Sequence, residues 1–575
     1  MAIVLAWIGW DDAEPDSQTW SALLVRARAR SPHPGIERAG QGWRVYAAAT
    51  SPAEPPVILC SPDRSATLVL LDRAAAKHEG PLDHHFDAYA HDGSGCAALR
   101  IELAPLRVTL YRDILGQRVL VYAKLAHGLL IASSEQVLLA HPQVDADLDE
   151  DFLAAYFTAL PPAHDATAFK GIHAVAAGET LQFTAQQTSS HRRRLSPTDS
   201  WCGLGDGQIA ERMGDLLEKS VRRACSGAKR IGISLSAGLD SSAIAAALMA
   251  VKSSEQTAIA VTYAFPQWPA INEGPLVAQC AKFLQLEHRA FDADDLDPLA
   301  PNLFRAINPD TPLASIYREI KDAAYAQFAA AHVEVWLDGS FSDHLFSNNA
   351  DWLLQGTRAG RWRELQNETR WRLNAGAWRS PWRDSGVRKL GRRMLGLADA
   401  DPQRLLRLRP DLANRLRERW RAELAEYRDF PRPQQTMTCL NGYAMAASCG
   451  EHFYAQQYGI RHHSPFRDLE LTRWMLSIPG DLHERLGVRK WLLRNWLSSR
   501  VPAAISQRPK GSDLTPFLKA AVDRQREHWQ SAITAAAPIA QSILTAAAFE
   551  RGNSGADLLS YWLLASFGLW RSNRT

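Results

Sequence analysis

The spacing of hydrophobic positions divides the chain into two parts. Over about the first 190 residues, short runs of alternating apolar and polar residues are separated by turn residues, which predicts a β-rich region. Beyond a polar stretch, buried apolar runs alternate with amphipathic segments, which predicts strands and helices in succession. Such alternation indicates a parallel sheet covered by helices, and the last third of the chain is mostly helical. The sequence therefore predicts an α/β protein.

Turn signals separate the predicted strands of the β-rich part, for example Leu115-Gly116-Gln117 and His127-Gly128. One helix is predicted over Asp149–Leu160, and the polar stretch Ala185–Trp201 is expected to be a solvated linker. The apolar start of the chain is expected to form a first strand. The other predicted strands are Leu99–Leu103, Arg107–Leu110, Val119–Leu125, Leu129–Ser133, Ala174–Val175 and Thr180–Phe183.

The region after the linker alternates between strand and helix patterns. The predicted strands are Arg230–Leu235, Ala258–Tyr263 and Val333–Leu337. The predicted helices are Gln208–Ala224, Ser241–Val251, Glu273–Leu284, Asn441–Tyr458, Leu469–Ser477 and Arg489–Ser498. This order is typical of a parallel α/β sheet.

Composition narrows the class of protein. The 575 residues are too many for one core, and an apolar fraction of 46% is ordinary for a globular protein. A net charge of +3 is too small to indicate binding to nucleic acid or a membrane. The seven cysteines include no CxxC pair, which indicates reduced thiols rather than a zinc site or a disulfide framework. Because the start lacks a basic region and no apolar run approaches the ~20 residues of a membrane span, a cytoplasmic location is expected.

A strand, a loop of small residues and a helix start follow one another between Arg230 and Ser242. Small residues let the backbone approach a ligand, and a helix N-terminus offers unpaired N–H groups to an anion. The hydroxyls of Ser236 and Ser241 add donors, whereas Asp240 suits an anion site only if it holds a cation such as Mg²⁺. The loop lacks the lysine and the length of a Walker-type site. An ordinary helix N-cap is the alternative to a nucleotide site at this point.

The six residues Ser236–Ser241 resemble the SGGxDS pyrophosphate loop of the N-type ATP pyrophosphatases, with Ala237 in place of one glycine. Downstream, Trp336–Phe346 is similar to the LSGxGSDExF loop of the asparagine synthetase branch of that family. Further motifs of the same branch follow in the same order. They are Asn272-Glu273, Leu286-Glu287-His288, His463–Asp468, Gly487–Arg494, Val501-Pro502 and Gln507–Lys510.

This resemblance implies ATP and Mg²⁺ as cofactors and a C-terminal PP-loop domain of the adenine nucleotide α-hydrolase-like type. It implies that Asp240 and Asp343 hold Mg²⁺ ions that neutralise charge on the phosphates. Lys510 aligns with the family lysine that reaches the reacting centre and is the expected catalytic residue. Lys490 and Arg494 are either phosphate contacts or solvated helix charges. The residues expected at the nucleotide are Ser234, Ser236, Ala237, Gly238, Leu239, Asp240, Ser241, Thr262 and Gly339.

The N-terminal part resembles glutaminases of the N-terminal nucleophile type, which implies an α+β sandwich. The resemblance is carried by Tyr111–Arg118, Ile131–Glu135, Phe169–Ile172 and Gly178. Glutamine hydrolysis in that family needs a cysteine thiolate exposed by removal of the initiator methionine, and Ala2 offers none. The family's glutamine-holding NGE motif also has no counterpart. The glutaminase-like domain is therefore expected to be inactive, and ammonia is not expected to be the amine.

Ser340 stands where asparagine synthetases have Glu and the β-lactam synthetase-like relatives have Tyr, at the position that handles the nucleophile. Serine has neither the charge nor the reach of those side chains. The group that accepts the amine proton is therefore open among Glu451, His452 and Glu319, with water or the departing AMP as further possibilities.

An insertion after Phe346, Gly356–Arg393, interleaves arginine with tryptophan. Residues of this kind could stack on a peptide or a nucleic acid, or the helices could pack through Trp with Arg in solvent. The residues concerned are Arg358, Arg361, Arg363, Arg370, Arg372, Arg379, Arg383, Arg388 and Arg392, with Trp362, Trp371, Trp378 and Trp382.

Together these features resemble the lasso-peptide macrolactam synthetases, over essentially the whole chain. The resemblance implies that ATP adenylates an Asp or Glu side chain of a precursor peptide and that the peptide's N-terminal amine then closes the ring. The expected partners are this peptide and a leader peptidase and leader-binding protein of the same pathway, with neither nucleic acid nor a membrane. The expected domains are a degenerate glutaminase-like domain at 1–190, a linker at 191–207 and a synthetase domain at 208–575 with a helical insertion near 350–430.

Three other hypotheses stay open. A β-lactam synthetase-like or other asparagine synthetase-like ligase would act on a small amino-acid-derived substrate, although Ser340 does not favour it. A scaffold inactive in both halves would have no need of Asp240, Asp343 and Lys510. A tRNA-modifying enzyme with the same loop would use the Trp/Arg segment for RNA, but a glutaminase-like domain is foreign to that class.

Overall fold

The computed structural model of the protein describes residues 3–31, 33–49, 57–60, 66–70, 97–296, 308–312, 315–347, 357, 360–374, 387, 391, 403–441, 443–508, 511–546 and 555–573. The larger sheets within this part of the chain fall into two kinds. Two antiparallel sheets are built from the N-terminal residues, and a parallel sheet is built from residues beyond 229, where a two-stranded hairpin also occurs.

Two six-stranded antiparallel sheets form the N-terminal part. Their strand orders are β10-β8-β9-β1-β3-β2 and β12-β11-β7-β6-β5-β4. The strands are β1 (Ile3–Gly9), β2 (Gly35–Gly40), β3 (Trp43–Ala48), β4 (Val57–Cys60), β5 (Ala66–Leu70), β6 (Ala97–Leu103), β7 (Leu106–Arg112), β8 (Val121–Leu125), β9 (Gly128–Ala132), β10 (His173–Ala174), β11 (Glu179–Phe183) and β12 (Thr188–Arg192).

Strand β1 lies between two cores, and all of its residues are buried. Successive side chains of a strand point to opposite faces, so Val4, Ala6 and Ile8 pack into the core between the two sheets. Leu5 and Trp7 point the other way and pack among helices. A strand covered on both faces has no polar positions to alternate, which explains the continuous apolar start of the chain.

The helices cover both kinds of sheet. They are α1 (Ser17–Ala29), α2 (Glu135–Leu138), α3 (Glu150–Phe157), α4 (Asp206–Ala224), α5 (Leu239–Val251), α6 (Gly274–Phe283), α7 (Arg318–Ala330), α8 (Ser342–Phe346), α9 (Trp362–Asn374), α10 (Pro410–Glu426), α11 (Pro433–Leu440), α12 (Tyr443–Gln457), α13 (Leu469–Ser477), α14 (Trp491–Leu497), α15 (Ala503–Ser506), α16 (Thr515–Arg524), α17 (Arg526–Ala540) and α18 (Gly555–Ser572). None of the helices in the described residues combines the length and the apolar character that a membrane span requires.

A five-stranded parallel sheet forms the centre of the C-terminal part. Its strands are β13 (Arg230–Ser234), β14 (Thr257–Ala264), β15 (Glu287–Asp292), β16 (Val335–Leu337) and β17 (Arg461–His463), in the order β15-β14-β13-β16-β17. The chain runs outward from β13 through β14 to β15 and then returns to β16 on the other side of β13. In parallel α/β sheets, ligands bind beyond the carboxyl ends of the two strands where the order reverses. The fold therefore singles out the loops that follow β13 and β16.

The two parts of the protein share a core. Trp7 and Trp20 of the N-terminal part belong to the same buried cluster as Trp529 and Trp562 of the last helices. A second contact is polar, because the Arg467 guanidinium donates to the Leu115 carbonyl at 2.6 Å.

The seven predicted helices agree with the structure to within a few residues, as do β13, β14 and β16 of the parallel sheet and the strands predicted between Leu99 and Phe183. Thr188–Arg192, inside the stretch expected to be a linker, instead forms strand β12. Its side chains are mostly exposed on both faces, so it has no hydrophobic rhythm, and its pairing with β11 rests on backbone hydrogen bonds. Strands β2–β5, β15 and β17 were not predicted, and neither were helices α1, α2, α7–α11 and α15–α18. Strands β18 (Glu484–Arg485) and β19 (Val488–Arg489), which form a hairpin, lie partly inside the segment predicted to be a helix from Arg489.

Candidate active site

The loops that follow β13 and β16 touch each other at the point where the strand order reverses. A side chain at Gly339 would place its Cβ 2.9 Å from the Cβ of Asp240 and 3.0 Å from the backbone nitrogen of Ser241. Contacts that short leave no room for any residue but glycine. The geometry therefore brings three of the predicted site residues together and explains the glycine.

The loop after β13 is closed by its own two serines. The hydroxyl oxygens of Ser236 and Ser241 lie 2.9 Å apart, and the Ser241 hydroxyl accepts the backbone N–H of Ser236 at 3.0 Å. The N–H of Gly238 donates to the Ser236 hydroxyl at 3.2 Å. Gly238 is also the N-cap of α5, whose first-turn N–H groups have no partner within the helix. A small-residue loop at a helix start is thereby held in a fixed shape.

Glu273 ties this loop to the segment that follows α15. Its carboxylate accepts the backbone N–H of Ala237 at 3.0 Å and the Arg508 guanidinium at 2.7 Å. Arg508 also donates to the Ala237 carbonyl at 3.3 Å. The sequence places Glu273 and Arg508 in family motifs without assigning them a role, and the structure shows that they brace the loop.

Asp240 and Asp343 converge on the ammonium group of Lys490. The Nζ atom of Lys490 lies 2.6 Å from an oxygen of Asp240 and 2.6 Å from an oxygen of Asp343. The Ser342 hydroxyl also donates to Asp240, at 2.6 Å from Oδ1. From the sequence, Lys490 could be either a phosphate contact or a solvated helix charge. The structure shows that it lies in the site.

The charges of this cluster are unequally exposed. The side chains of Asp240 and Lys490 are 22% and 17% exposed, whereas the carboxylate of Asp343 reaches into solvent. Burial lowers the pKa of Lys490, but the two carboxylates outweigh it, so that its net pKa is raised and the group is an ammonium at neutral pH. Desolvation raises the pKa of Asp343 and the adjacent ammonium lowers it, with a net downward shift.

The donor set of this cluster fits a divalent cation. Within the described residues, no three His, Cys, Asp or Glu side chains come together as a metal site made of protein alone. Mg²⁺ does not need such a site, because it is usually held by one or two carboxylates together with substrate phosphates and water. Asp240 and Asp343 provide two carboxylates that already share one positive partner.

A cleft of about 500 Å³ opens over the cluster, a size within the range of ordinary ligand pockets. Gly238, Asp240 and Asp343 are among the residues that line it. Four cationic side chains also line it: Arg489, Lys490, Arg494 and Arg508. A cleft with a helix N-terminus and four cations suits a polyphosphate.

Two of the residues predicted at the nucleotide lie beneath the loop. The Ser234 hydroxyl accepts the indole N–H of Trp336 at 2.8 Å, and the Thr262 hydroxyl donates to the Leu235 carbonyl at 2.8 Å. Both side chains therefore support the loop from the sheet. Lys510 lies outside the described residues, and its neighbours Arg508 and Gly511 line the cleft.

Glu451 and His452, two of the candidate proton acceptors, lie in a buried polar cluster next to β16. Both carboxylate oxygens of Glu451 accept hydrogen bonds, one from Lys321 and one from the hydroxyl of Tyr325. Burial raises the pKa of Glu451, but the Lys321 ammonium outweighs it and the net shift is downward. Burial holds the pKa of His452 well below its usual range, so the ring is neutral. Glu319, the third candidate, lies half-buried in the first turn of α7.

A second polar cluster stands at the carboxyl ends of β16 and β17. The hydroxyls of Ser340 and Ser464 donate to Asp338 at 2.6 and 2.7 Å, and Nε2 of His462 lies 3.2 Å from the same carboxylate. The rings of His462 and His452 are in edge contact, with centroids 4.9 Å apart. Sequence analysis assigned no role to Asp338 or His462. Both residues lie at the ends of neighbouring parallel strands, and polar residues at such positions could have been recognised in the sequence as candidate site residues.

Phe341 adopts a backbone conformation that large residues rarely take. Its φ is 74°, in the left-handed region, and its ring is buried. In the LSGxGSDExF loop that Trp336–Phe346 resembles, this position is a glycine. The Arg467 guanidinium lies over the Phe341 ring at 5.8 Å. The loop therefore keeps the turn that glycine would allow while packing an aromatic side chain.

The N-terminal motif Tyr111–Arg118 forms a turn at the boundary of the two parts. The Asp113 carboxylate accepts the N–H groups of Leu115 and Gln117 at 3.0 and 2.9 Å. The Gln117 side chain donates to the carbonyl of Arg467 at 3.0 Å. The motif thus contacts the C-terminal part, whereas Ala2 lies outside the described residues.

The Trp/Arg-rich insertion is described only in part. Helix α9 contains five of the arginines and tryptophans named above, Trp362, Arg363, Arg370, Trp371 and Arg372, and Arg361 directly precedes it. The others lie outside the described residues. Trp362 is 64% exposed, whereas Trp371 packs against Gly487. In the described segment, one tryptophan therefore packs against the protein and another is open to solvent.

Comparisons with known proteins agree with this architecture. Residues 212–570 match the asparagine synthase family, and residues 97–194 match a glutamine amidotransferase domain. A search of curated proteins finds no match.

Solved structures with detectable similarity resemble the chain only weakly. Glutamine phosphoribosylpyrophosphate amidotransferase from B. subtilis, complexed with ADP and GMP, is 13% identical over 40% of this chain and 60% of its own, with a TM-score of 0.23. A structure described as the allosteric regulatory enzyme of purine biosynthesis is 10% identical over 50% and 80%, with a TM-score of 0.23. The U34-tRNA thiolase NcsA from Methanococcus maripaludis, with its [4Fe-4S] cluster, is 12% identical over 43% and 86%, with a TM-score of 0.20. The chain spans less than two thirds of the first of these.

The family match covers the parallel sheet, both loops of the cleft and the hairpin that precedes Lys490. The glutamine amidotransferase match covers most strands of one antiparallel sheet. This is the architecture of an ATP-dependent ligase with a glutamine amidotransferase-like domain ahead of it. The chain belongs to the asparagine synthase family.

Proposed function

We propose that the protein is a macrolactam synthetase of the lasso-peptide type, which uses ATP and Mg²⁺ to join a side-chain carboxylate of a precursor peptide to the peptide's own N-terminal amine. The observation that carries the proposal is the convergence of Asp240 and Asp343 on Lys490 at the switch point of the sheet. The cluster faces a cationic cleft wide enough for a triphosphate.

In the first step, a carboxylate oxygen of the peptide attacks the α-phosphorus of ATP. A new phosphorus–oxygen bond forms, the bond to the bridging oxygen breaks, and pyrophosphate leaves. Mg²⁺, when bound, supplies charge that neutralises the phosphate oxygens as this occurs. Asp240 and Asp343 would hold it, and the serine-closed loop and the start of α5 would receive the phosphates. Lys490, Arg489 and Arg494 then balance the charge of the leaving pyrophosphate.

In the second step, the N-terminal amine attacks the activated carbonyl carbon, and AMP leaves. One proton is released from the amine, and the peptide as a whole has lost one water. Lys510 is proposed to contact the carbonyl oxygen, which gains negative charge when the amine adds to the carbon. Its position between Arg508 and Gly511, which both line the cleft, supports that role.

The amine is proposed to belong to the substrate rather than to glutamine. The N-terminal part is proposed to be an inactive domain with a structural role, which its shared core with the last helices supports. The reaction is placed in the cytoplasm, where ATP is available. A leader peptidase and a leader-binding protein would prepare the peptide. The synthetase part, residues 208–575, is proposed to be a PP-loop domain that follows a glutaminase-like domain at 1–190 and a linker at 191–207.

A small-molecule ligase of the β-lactam synthetase type is the second candidate. Ser340 disfavours it, because its hydroxyl is bound to Asp338 at 2.6 Å and offers no long side chain to a small substrate. The Trp/Arg-rich insertion, with Trp362 exposed, favours an extended substrate.

The experiment combines the purified protein with ATP, Mg²⁺ and a linear peptide that has an N-terminal Gly and an internal Asp. Mass spectrometry is expected to find a product lighter by one water, with AMP and pyrophosphate in equal amount. Two control peptides should stay linear, one with an acetylated N-terminus and one with Asn in place of Asp. Cyclisation of the acetylated peptide, or adenylation that is never followed by cyclisation with any peptide, would reject the macrolactam proposal.

A further inference from the structure

Helix α9, the first described helix of the Trp/Arg-rich insertion, rests on the hairpin that presents Lys490 to the site. The hairpin consists of β18 and β19, and Lys490 follows β19 directly. The two strands pair through Glu484 with Arg489 and Arg485 with Val488. The position of the Lys490 ammonium therefore depends on how the hairpin is held.

The backbone of this hairpin is strained. The two turn residues, Leu486 and Gly487, have φ values of 49° and 73°, as a tight two-residue hairpin turn requires. Glycine takes this conformation freely, but Leu486 does not. Lys490 is also left-handed, with φ of 56°. Three left-handed residues within five positions need contacts from outside the hairpin to stay in place.

Two contacts from α9 provide this support at the turn. The Glu368 carboxylate accepts the backbone N–H of the strained Leu486 at 2.7 Å. The ring of Trp371 covers the bare Cα of Gly487 so closely that a Cβ there would lie 2.4 Å from a ring carbon. Glu368 is itself fixed by Arg372, whose Nε donates to its second oxygen at 2.8 Å. The turn is therefore held by one hydrogen bond and one close packing contact.

Ion pairs hold the base of the hairpin in the same way. Arg361, just before α9, pairs with Asp481 at 2.7 Å. Arg485 on β18 pairs with Asp206 at 2.6 Å, and its guanidinium lies over the ring of Trp491 at 4.1 Å. A small cavity of about 150 Å³ separates α9 from the hairpin, and Glu484 lines both this cavity and the cleft over the cluster. The insertion and the site are thus in direct physical contact.

We infer that Glu368 and Trp371 are positioning residues for the adenylation step, acting through the hairpin on Lys490. The inference rests on the proposed function. Without these contacts the turn at Leu486 and Gly487 relaxes, and the Lys490 ammonium is no longer held where it balances the charge of the leaving pyrophosphate. A substrate that contacts the Trp/Arg-rich insertion would then change the rate at which its carboxylate is adenylated, because α9 connects the insertion to the hairpin.

The test measures ATP–pyrophosphate exchange with the full-length protein and the linear Asp peptide. Glu368→Ala is expected to lower the exchange rate per folded molecule by about tenfold or more, the size of effect that a displaced charged group produces. Glu368→Gln keeps an oxygen acceptor for the Leu486 N–H and is expected to stay within about threefold of the wild type. Gln366→Ala is the matched control and is expected to leave the exchange rate unchanged, because Gln366 lies on the same helix with its side chain exposed to solvent.

A double-mutant cycle separates positioning from general stability. If Glu368 acts through Lys490, Glu368→Ala should have no further effect on exchange when Lys490→Met is already present. The thermal midpoint, by contrast, should fall by a similar amount in both backgrounds. An undiminished effect in the Lys490→Met background would overturn the inference, and so would wild-type exchange in Glu368→Ala. Absence of exchange in the wild type would instead reject the proposed function.

Discussion

Replacing Lys490 with methionine keeps the length of the side chain and removes the charge that joins Asp240 and Asp343. Two unit charges about 4 Å apart interact by roughly 4 kcal/mol at an effective dielectric constant near 20. Much of this attraction is offset by the cost of burying Lys490 and Asp240, which are only 17% and 22% exposed. Asp343 can turn into solvent and Ser342 still donates to Asp240. We therefore expect Lys490→Met to destabilise the metal-free protein by about 2 kcal/mol.

Magnesium should act on this variant differently from the wild type. In the wild type, the Lys490 ammonium competes with a cation for the two carboxylates. In Lys490→Met this competitor is absent, so Mg²⁺ should bind more tightly and raise the thermal midpoint more than it does in the wild type. Exchange of pyrophosphate into ATP should nevertheless fall by about a hundredfold or more, because a charge that stabilises the leaving group is lost.

The assay is thermal unfolding followed by fluorescence, in EDTA and at increasing Mg²⁺. Lys219→Met is the matched control, because Lys219 forms an ion pair with Glu470 in which both side chains are more than half exposed. Exposed pairs of this kind contribute about 0–1 kcal/mol, so the control should change little in either condition. A Mg²⁺-induced shift in Lys490→Met that is equal to or smaller than the wild-type shift would refute the view that Lys490 occupies a cation site.

Three further changes test other parts of the structure. Gly339→Ala forces a Cβ to within 2.9 Å of the Cβ of Asp240 and so pushes the two loops apart. Pyrophosphate exchange should therefore fall at least about tenfold, while the thermal midpoint drops only modestly. Unchanged exchange would show that the two loops need not touch. Arg432→Met should lower the stability by about 3–5 kcal/mol in urea unfolding, because the buried guanidinium donates to three backbone carbonyls that would lose their partner; a loss below about 1 kcal/mol would contradict this. Burial raises the pKa of Glu423 to about 7 in the folded state, whereas the same carboxyl in the unfolded chain releases its proton near pH 4.5. The folded state therefore becomes less stable as the pH rises from about 4.5 to about 7. Glu423→Gln should remove up to about 3 kcal/mol of the loss between pH 5 and pH 8 in urea unfolding, and an identical pH dependence in both proteins would show that the proton is not held.

The parts of the site that lie on one continuous segment could be predicted from the sequence. Strand β13, the serine and glycine loop and the start of α5 follow one another within about a dozen residues, so local patterns define all three. The pairing of this loop with Asp343 was predicted from a resemblance, and the structure brings Asp240 and Asp343 to a common partner.

Features that depend on distant segments were left open or missed by the sequence prediction. The sequence left Lys490 open between a phosphate contact and a solvated helix charge, because Lys490 is 250 residues from Asp240 and its position depends on a strained hairpin held by α9. The cluster of Asp338 and His462 needs the short strand β17, whose three residues carry no recognisable pattern. Strand β12 was missed because its polar residues are exposed on both faces and only the backbone specifies the pairing.

The most direct test of the central claim follows an oxygen atom from the peptide into AMP. The peptide is prepared with both oxygens of its reacting Asp carboxylate labelled as ¹⁸O and is incubated with ATP, Mg²⁺ and the enzyme. If the carboxylate attacks the α-phosphorus, one labelled oxygen should appear in the phosphate of AMP and the other should remain in the amide of the cyclic product. Formation of ADP and phosphate, or of AMP without the label, would contradict the account.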